Sequence, residues 1–560
     1  MVWQTVESGS HAGGGQSALW CLMTQCDYII VGAGSAGCVL ANRLSANGRH
    51  RVLLLEAGGS DRRFWLQVPI GYGMSFYNPR VNWMYRTEPE PALDDRQGYW
   101  PRGKVLGGSS AINAMVYMRG LPSDFEAWRD AGNPGWGWQD VLPYFRRAEN
   151  FAGSADPRRG TGGPLHVSNV AAACHPLSEM FLRACQEIGV PRSPDLNGGT
   201  PEGVAHYQIT TQGGRRMSAA RAYLHPARGR TNLRVETGAH ATRILMENGR
   251  AVGVEYRREG RLVTAHAAAE VILAAGSIGS PQLLQVSGIG PRALLERLGI
   301  AVLCDAPAVG RNLQDHLCID HLHRARVPTL NDAFGSWPGK LRAGLTYLLS
   351  HGGPLAISVN QAGGYARSRA DVAAPDLQLY FSPLSYTRAA PGTRALMRPD
   401  PFSGFLLSAQ PCRPQSRGFL EIASADARDA PRIVPNSLAV EADRRTMLDA
   451  SRFLRKLAAA PALGAVIAEE LKPGPAIQSD EDLLADIRAR ASSVFHPVGT
   501  CRMGADPAAC VVDATLRVHG VDGLRVIDAA IFPVLTSANT NAPAIMVGEK
   551  GADLVLDDAR

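Results

Sequence analysis

Lysine is scarce in this chain: five residues among 560. The net charge of +7 is therefore carried by arginine, and the arginines are scattered. The longest basic clusters are pairs such as Arg215-Arg216 and Arg257-Arg258. A nucleic-acid binder gathers its excess into a stripe or a run, so this pattern argues against nucleic acid as a partner. It leaves open a mild attraction to an anionic membrane surface. Zinc-site patterns are missing too: the ten cysteines form no CxxC pair and no Cys/His cluster, so no metal is expected. They read as mostly buried, reduced thiols of a reducing compartment. No run of 18 apolar residues is present to span a bilayer. The first 22 residues lack the basic and long apolar regions of a signal peptide. These absences predict a cytoplasmic protein with at most peripheral contact to the inner membrane. Residues 1–24 are expected to be a disordered extension, with Met23 as the natural start. The oligomeric state is not written in the sequence.

What is present is an ordinary globular composition, 45% hydrophobic and 19% charged, long enough for two or more folding units. Asp27-Tyr28-Ile29-Ile30-Val31 is a short apolar run followed by glycines, which reads as a buried parallel strand. Ser35 to Asn47 is helix-like, and Arg51 to Glu56 is a second strand, giving a βαβ unit. Glu270–Gly276 and Leu524–Asp528 resemble further central strands of the same sheet. An amphipathic helix is expected near 176–188, alternating strand-like runs near 403–423, and helices at 441–459 and 480–491.

Gly32-x-Gly34-x-x-Gly37 stands directly after the first strand and opens the helix. Gly32 permits a tight turn, Gly34 lets a pyrophosphate approach the backbone, and Gly37 lets helix and strand pack closely. The helix N-terminus offers N–H donors to the anion. Glu56, at the end of the second strand, stands where an acid binds ribose hydroxyls. Strand, helix and acid in register make a dinucleotide site, without separating FAD from NAD.

Pro101-Arg102-Gly103-Lys104-Val105-Leu106-Gly107-Gly108-Ser109-Ser110-Ala111-Ile112-Asn113 is a second glycine- and serine-rich loop, without Walker spacing. It offers N–H groups and hydroxyls to a bound group. It closely resembles the first signature of the glucose–methanol–choline oxidoreductases. Gly276-Ser277-x-x-Ser280-Pro281 through Gly290 resembles the second, and Val309-Gly310-Arg311-Asn312-Leu313-Gln314-Asp315-His316 a further block. The resemblance runs from about residue 27 to 555.

It implies a mixed α/β fold: a Rossmann-like FAD-binding domain interleaved with a substrate domain built on an antiparallel sheet flanked by helices. The FAD domain would comprise 25–150, 221–316 and 496–560, and the substrate domain 151–220 and 317–495. By motif, FAD contacts would include Gly32, Gly34, Gly37, Glu56, Arg102, Gly107, Asn113, Met115 and Val116. Ala241 would touch the adenine side, and Asp528, Ala529 and Asn541 would follow the ribityl chain and the ring. Some relatives attach FAD through a histidine of this loop. The matching residue here is Ile112, which has no nucleophile, so non-covalent FAD is expected.

Phe495-His496-Pro497-Val498-Gly499-Thr500 resembles the family's catalytic histidine block, and Asn539 matches its second His-or-Asn position. An isolated histidine is more often structural, but the chemistry suits this residue type. An alcohol must lose its hydroxyl proton as its α-hydrogen leaves as hydride. A neutral imidazole titrating near working pH can take that proton, and an amide can hold the oxygen. Phe495 and Cys318 are expected in the substrate pocket. Choline-handling members carry Glu where this chain has Cys318, although Asp320 is near in sequence. The expected reaction is oxidation of an uncharged primary alcohol to the aldehyde, with a quinone or similar acceptor. Choline oxidation and an oxygen-using oxidase are the alternatives. A hydroxynitrile lyase or a non-catalytic flavin protein is the more distant reading.

Overall fold

The structure, a computed structural model, describes residues 25–153, 156–198, 202–387 and 398–559. The extension expected over 1–24 lies outside the described residues. Fourteen strands of the described residues make two large sheets. In chain order they begin with β1 (Gln25–Val31), β2 (Val52–Glu56), β3 (Gly203–His206), β4 (Leu233–Thr237), β5 (His240–Glu247), β6 (Arg250–Arg258) and β7 (Arg261–Leu273). There follow β8 (Leu317–Ala325), β9 (Ala362–Ala366), β10 (Leu377–Ser382), β11 (Gly404–Pro411), β12 (Ile467–Lys472), β13 (Ser492–Ser493) and β14 (Leu524–Val526). The helices that matter below are α1 (Ser35–Leu44), α2 (Gly276–Val286), α3 (Leu330–Gly335), α4 (Trp337–Ser350), α5 (Glu441–Ala458) and α6 (Asn541–Asp558).

The first sheet has the order β4-β2-β1-β7-β6-β5, with β14 also beside β7. β1, β2 and β4 run parallel, and parallel neighbours need a crossover, which α1 supplies between β1 and β2. Every residue of β2 is buried, as a strand covered on both faces requires. β7 begins nine residues earlier than the Glu270 start that the sequence suggests. Its first half pairs antiparallel with β6 and its second half parallel with β1. It stops at Leu273, because Gly276 (φ +79°) turns the chain into α2.

The second sheet has the order β12-β8-β11-β10-β9-β3, all antiparallel, with β13 on the start of β8. Side chains alternate between its faces. Ile319, Leu377, Leu379, Phe381, Phe405, Leu407 and Ala409 point into one core. α5 covers them with Met447, Ala450, Leu454 and Leu457, spaced to lie on one side of a helix. Its acids at the start (Glu441, Asp443) and bases at the end (Arg455, Lys456) suit the helix dipole. Each such leucine contributes about 1.5–3 kcal/mol by burial. The other face carries Cys318, Asp320, Tyr380, Ser382, Leu406 and Ser408, which line a cavity shared with the first sheet.

Candidate active site

The cavity has a volume of about 390 Å³, within the range of small-molecule sites. One end lies at the C-terminal edge of β1 and β2. There Gly32 has φ +100°, and a Cβ on it would stand 2.6 Å from Ala274 O, so the turn itself demands glycine. Gly34 differs. Its backbone is extended (φ −77°, ψ −160°), and a Cβ would meet only Ala274 O at 3.8 Å. Nothing in the protein requires glycine there, and the free space belongs to the cavity, which suits a cradle for a closely approaching ligand. The first-turn N–H groups of α1 follow, with no side-chain cap. Glu56 is buried, accepting hydrogen bonds from Ala33 N–H (3.0 Å) and Gly58 N–H (2.8 Å). Burial raises its carboxyl to about 7 against the pull of those two donors. This end fits a dinucleotide.

Most of the residues singled out by sequence line this one cavity: Gly32, Gly34, Glu56, Arg102, Asn113, Met115, Val116, Ala241, Cys318, Phe495, His496, Asp528, Ala529, Asn539 and Asn541. Gly37 and Gly107 do not. A Cβ on Gly37 would stand 1.9 Å from Gly32 O, so it serves the packing of α1 on the turn. Gly107 donates its N–H to Ala33 O (2.8 Å) and holds the second loop against the first. Its neighbours Gly108 and Ser109 line the cavity instead, so Gly37 and Gly107 stand behind its wall. Asp528 lines the cavity, but its oxygens are engaged by Gly276 N–H, Ser280 Oγ and Ala530 N–H. Asn541 Oδ1 accepts from Ser35 Oγ at 2.7 Å. Ile112 lines the wall with an aliphatic side chain.

The other end is built of side chains. His496 is 8% exposed, on the loop after β13, and its backbone N–H donates to Asp315 Oδ1 (2.7 Å). Asp315 also accepts from Ser493 Oγ, and burial raises it to about 7. Phe495 and Met115 line the cavity in the left-handed region (φ +70° and +63°), where non-glycine residues are rare and cluster at functional sites. Arg102, also in the wall, donates to Phe495 O at 2.6 Å. Burial lowers it to about 10, with Asp315 opposing.

The hydrogen bonds around His496 fix its tautomer. His316 Nε2 lies 3.0 Å from Cys412 O, and a carbonyl only accepts, so Nε2 carries the hydrogen. In neutral His316, Nδ1 is then an acceptor. It lies 3.0 Å from His496 Nδ1, which must therefore be the donor. The lone pair of His496 is left on Nε2, facing the cavity and 3.1 Å from Asn539 Nδ2. Asn539 is oriented in turn, because Gln378 Nε2 donates to its Oδ1 (3.2 Å) and Gln410 Nε2 donates to Gln378 Oε1 (2.9 Å). Burial, then His316 and Arg102, hold His496 well below the ordinary imidazole value. This corrects the expectation that it titrates near working pH. His316 is lowered to about 4 by burial.

Sequence reasoning missed the supporting layer: Asp315, His316, Gln378 and Gln410. His316 was visible only as the last letter of a motif. The glutamines carry a signal in retrospect, since Gln378, Tyr380 and Ser382 alternate along β10, and Ser408 and Gln410 along β11, on the face opposite the apolar core.

Two models of one family, described as GMC oxidoreductase, match residues 26–318 and 414–548. The chain is 43% identical over 541 residues to an oxygen-dependent choline dehydrogenase of Photobacterium profundum, covering 95% of this chain and 93% of that protein. It is 42% identical over 534 residues to an alcohol dehydrogenase [acceptor] of Pseudomonas putida, covering 95% of each. An FAD-dependent oxidoreductase from Chaetomium thermophilum superposes with a TM-score of 0.86 at 27% identity, covering 96% of this chain and 100% of that one.

Proposed function

Because the chain belongs to the GMC oxidoreductase family, we propose that it oxidises a primary alcohol to the aldehyde with FAD, held non-covalently, and passes the electrons to a quinone or similar acceptor. The observation that carries this is the His496 Nε2 lone pair, fixed by the His316 relay and turned into the cavity beside Asn539. When bound, FAD supplies the hydride acceptor at its N5. Gly32, Gly34, Glu56, Arg102, Asn113, Met115, Val116, Ala241, Asp528, Ala529 and Asn541 would line its path.

An alcohol oxygen lying against both side chains, in place of their direct hydrogen bond, gives its proton to His496 Nε2 while accepting from the Asn539 amide. The α-hydrogen leaves carbon as hydride with the C–H electron pair, for the acceptor that FAD would supply, the O–H electrons become the second C–O bond, and the aldehyde forms. A positioned base of this kind contributes about 10²–10⁴-fold in rate. The neutral form needed for the step is the one the buried site favours.

Ile112 supports non-covalent attachment, since an aliphatic side chain forms no link to a flavin. Acid precipitation should then release all FAD, and flavin remaining on the denatured chain would contradict this. Anaerobic mixing with a panel of alcohols tests the reaction itself, since bleaching of the flavin band reports hydride transfer. Quinone, dye and oxygen added afterwards identify the acceptor.

A second reading, a cationic alcohol such as choline, is favoured by one observation. Asp320 lines the cavity one strand repeat beyond Cys318, so a carboxylate faces the substrate after all. If the substrate is uncharged, Asp320→Asn leaves the preference among alcohols unchanged. If it is cationic, the same change raises KM for choline more than for neutral alcohols.

A further inference from the structure

Five large apolar side chains stand exposed on one helix. α4 carries Trp337, Leu341, Leu345, Leu348 and Leu349, with Trp337 75% and Leu349 83% exposed. At roughly 100° per residue these five fall within an arc about 120° wide. Ala343 and Tyr347, the buried residues of α4, lie on the opposite side. Exposed Lys340 and Arg342 border the apolar arc, one on each flank, and α4 contains no acidic residue. Asp332 on α3 is engaged by Thr329 and Ser403.

The patch continues beyond the helix. Arg215 Nη2 lies 3.0 Å from His351 Nε2, just past the end of α4. Packed against Arg215–Arg216 is the short turn Phe64–Gln67, where Phe64 (52%) and Trp65 (43%) are exposed behind exposed Arg62 and Arg63. The inner side of this layer leads to the cavity. Tyr347 packs with Val68 and Ile70, Ile70 packs with Tyr72, and Tyr72 lines the cavity.

An isolated exposed leucine means nothing, but a contiguous apolar arc on one helix does. With Trp and Leu on the face and only bases at its borders, the pattern matches a helix lying in a lipid–water interface. We propose that α4, together with Phe64 and Trp65, docks the protein peripherally on an anionic lipid bilayer. Apolar burial and attraction to the lipid charge act together, and no described helix is long and apolar enough to cross the membrane. The docked bilayer then lies against the layer that carries Tyr72. This inference does not depend on which alcohol is oxidised.

Flotation of the FAD-loaded enzyme with vesicles tests it, using phosphatidylcholine with phosphatidylglycerol and phosphatidylcholine alone. The enzyme should float with the anionic vesicles, less so with the neutral ones, and less again at high salt. Each base near the surface is worth about fivefold, so Lys340→Glu with Arg342→Glu should lower anionic-vesicle binding at least about tenfold. Leu348→Glu with Leu349→Glu should abolish binding to both vesicle types. Turnover of a water-soluble alcohol by these variants should stay at the parent rate, showing that fold and flavin are intact. Leu303→Glu, at an exposed leucine away from α4, should float like the parent. Parent enzyme that stays in solution, or α4 variants that float unchanged, overturn the proposal. So does a vesicle-free dimer that Leu348→Glu with Leu349→Glu dissociates, because a second copy would then cover this face.

Discussion

Between Gly32 and Glu56 the cavity wall is main chain, mostly small residues and one carboxylate, whereas between Cys318 and Asn539 it is imidazole, amide, thiol, carboxylate, hydroxyl and aromatic side chains. The difference follows from the two sheets. A parallel sheet ends in tight turns and helix N-termini, which present N–H groups and open space. An antiparallel sheet presents a whole face of side chains, so the second sheet can aim Cys318, Asp320, Tyr380 and Ser408 into the cavity while its other face builds a core. The nucleotide end should therefore be sensitive to added bulk and the catalytic end to removed function.

Gly34→Val is the sharpest test, with complete loss of flavin expected. Valine accepts the extended backbone at this position, and a Cβ there meets no protein atom closer than 3.8 Å, so the variant should fold. Stoichiometric flavin in the purified variant would show that this end does not cradle the nucleotide. His496→Ala comes next. It should keep flavin but slow anaerobic flavin reduction by at least about 10²-fold, measured by stopped flow on flavin-loaded enzyme. A near-normal rate would remove His496 from the chemistry.

Asn539→Ala and His316→Leu should each slow flavin reduction by less than His496→Ala does. The first removes one donor at the substrate oxygen. The second leaves His496 Nδ1–H buried without its acceptor and frees the ring to take the wrong tautomer. Loss of flavin at an unchanged rate of reduction would instead make His316 purely structural.

The smallest effect is one of pH. With His496 as the proposed base, its neutral form would be the active one, and the rate would rise as pH passes upward through its pKa. Because burial holds that pKa well below about 6.5, the reductive rate should be flat across the neutral range and fall only on the acid side. A rise centred near neutrality would mean that substrate or flavin restores an ordinary imidazole.

Much of this was legible in the sequence where several local signals agreed. The βαβ unit with Gly32, Gly34 and Glu56 could be read because strand, turn, helix and acid are close together in the chain. The helices expected near 176–188, 441–459 and 480–491 occur at Pro176–Glu187, Glu441–Ala458 and Asp480–Arg490, because amphipathic spacing is a local property. The extent of β7 was not legible, since its first half is held by β6 and its second by β1, and the sequence does not state which partner a strand finds. The packing role of Gly37 was legible from the motif, but that of Gly107 needed coordinates, because a glycine required for packing and one required for a ligand look the same in a sequence.

The sequence by itself determined the dinucleotide turn, which rests on residue type and short-range spacing, while the mixed α/β class and the candidates His496 and Asn539 came from its resemblance to the family. Tertiary structure alone decided which nitrogen of His496 keeps the lone pair. That depends on His316, 180 positions away, and on the carbonyl of Cys412. It also decided that Asp320 shares a cavity wall with Cys318 and that the apolar side of α4 faces outward. The physical reason is common to all three. Burial and hydrogen-bond direction are set by what packs against a residue, and those neighbours are brought together by sheet register and helix docking rather than by the chain on either side.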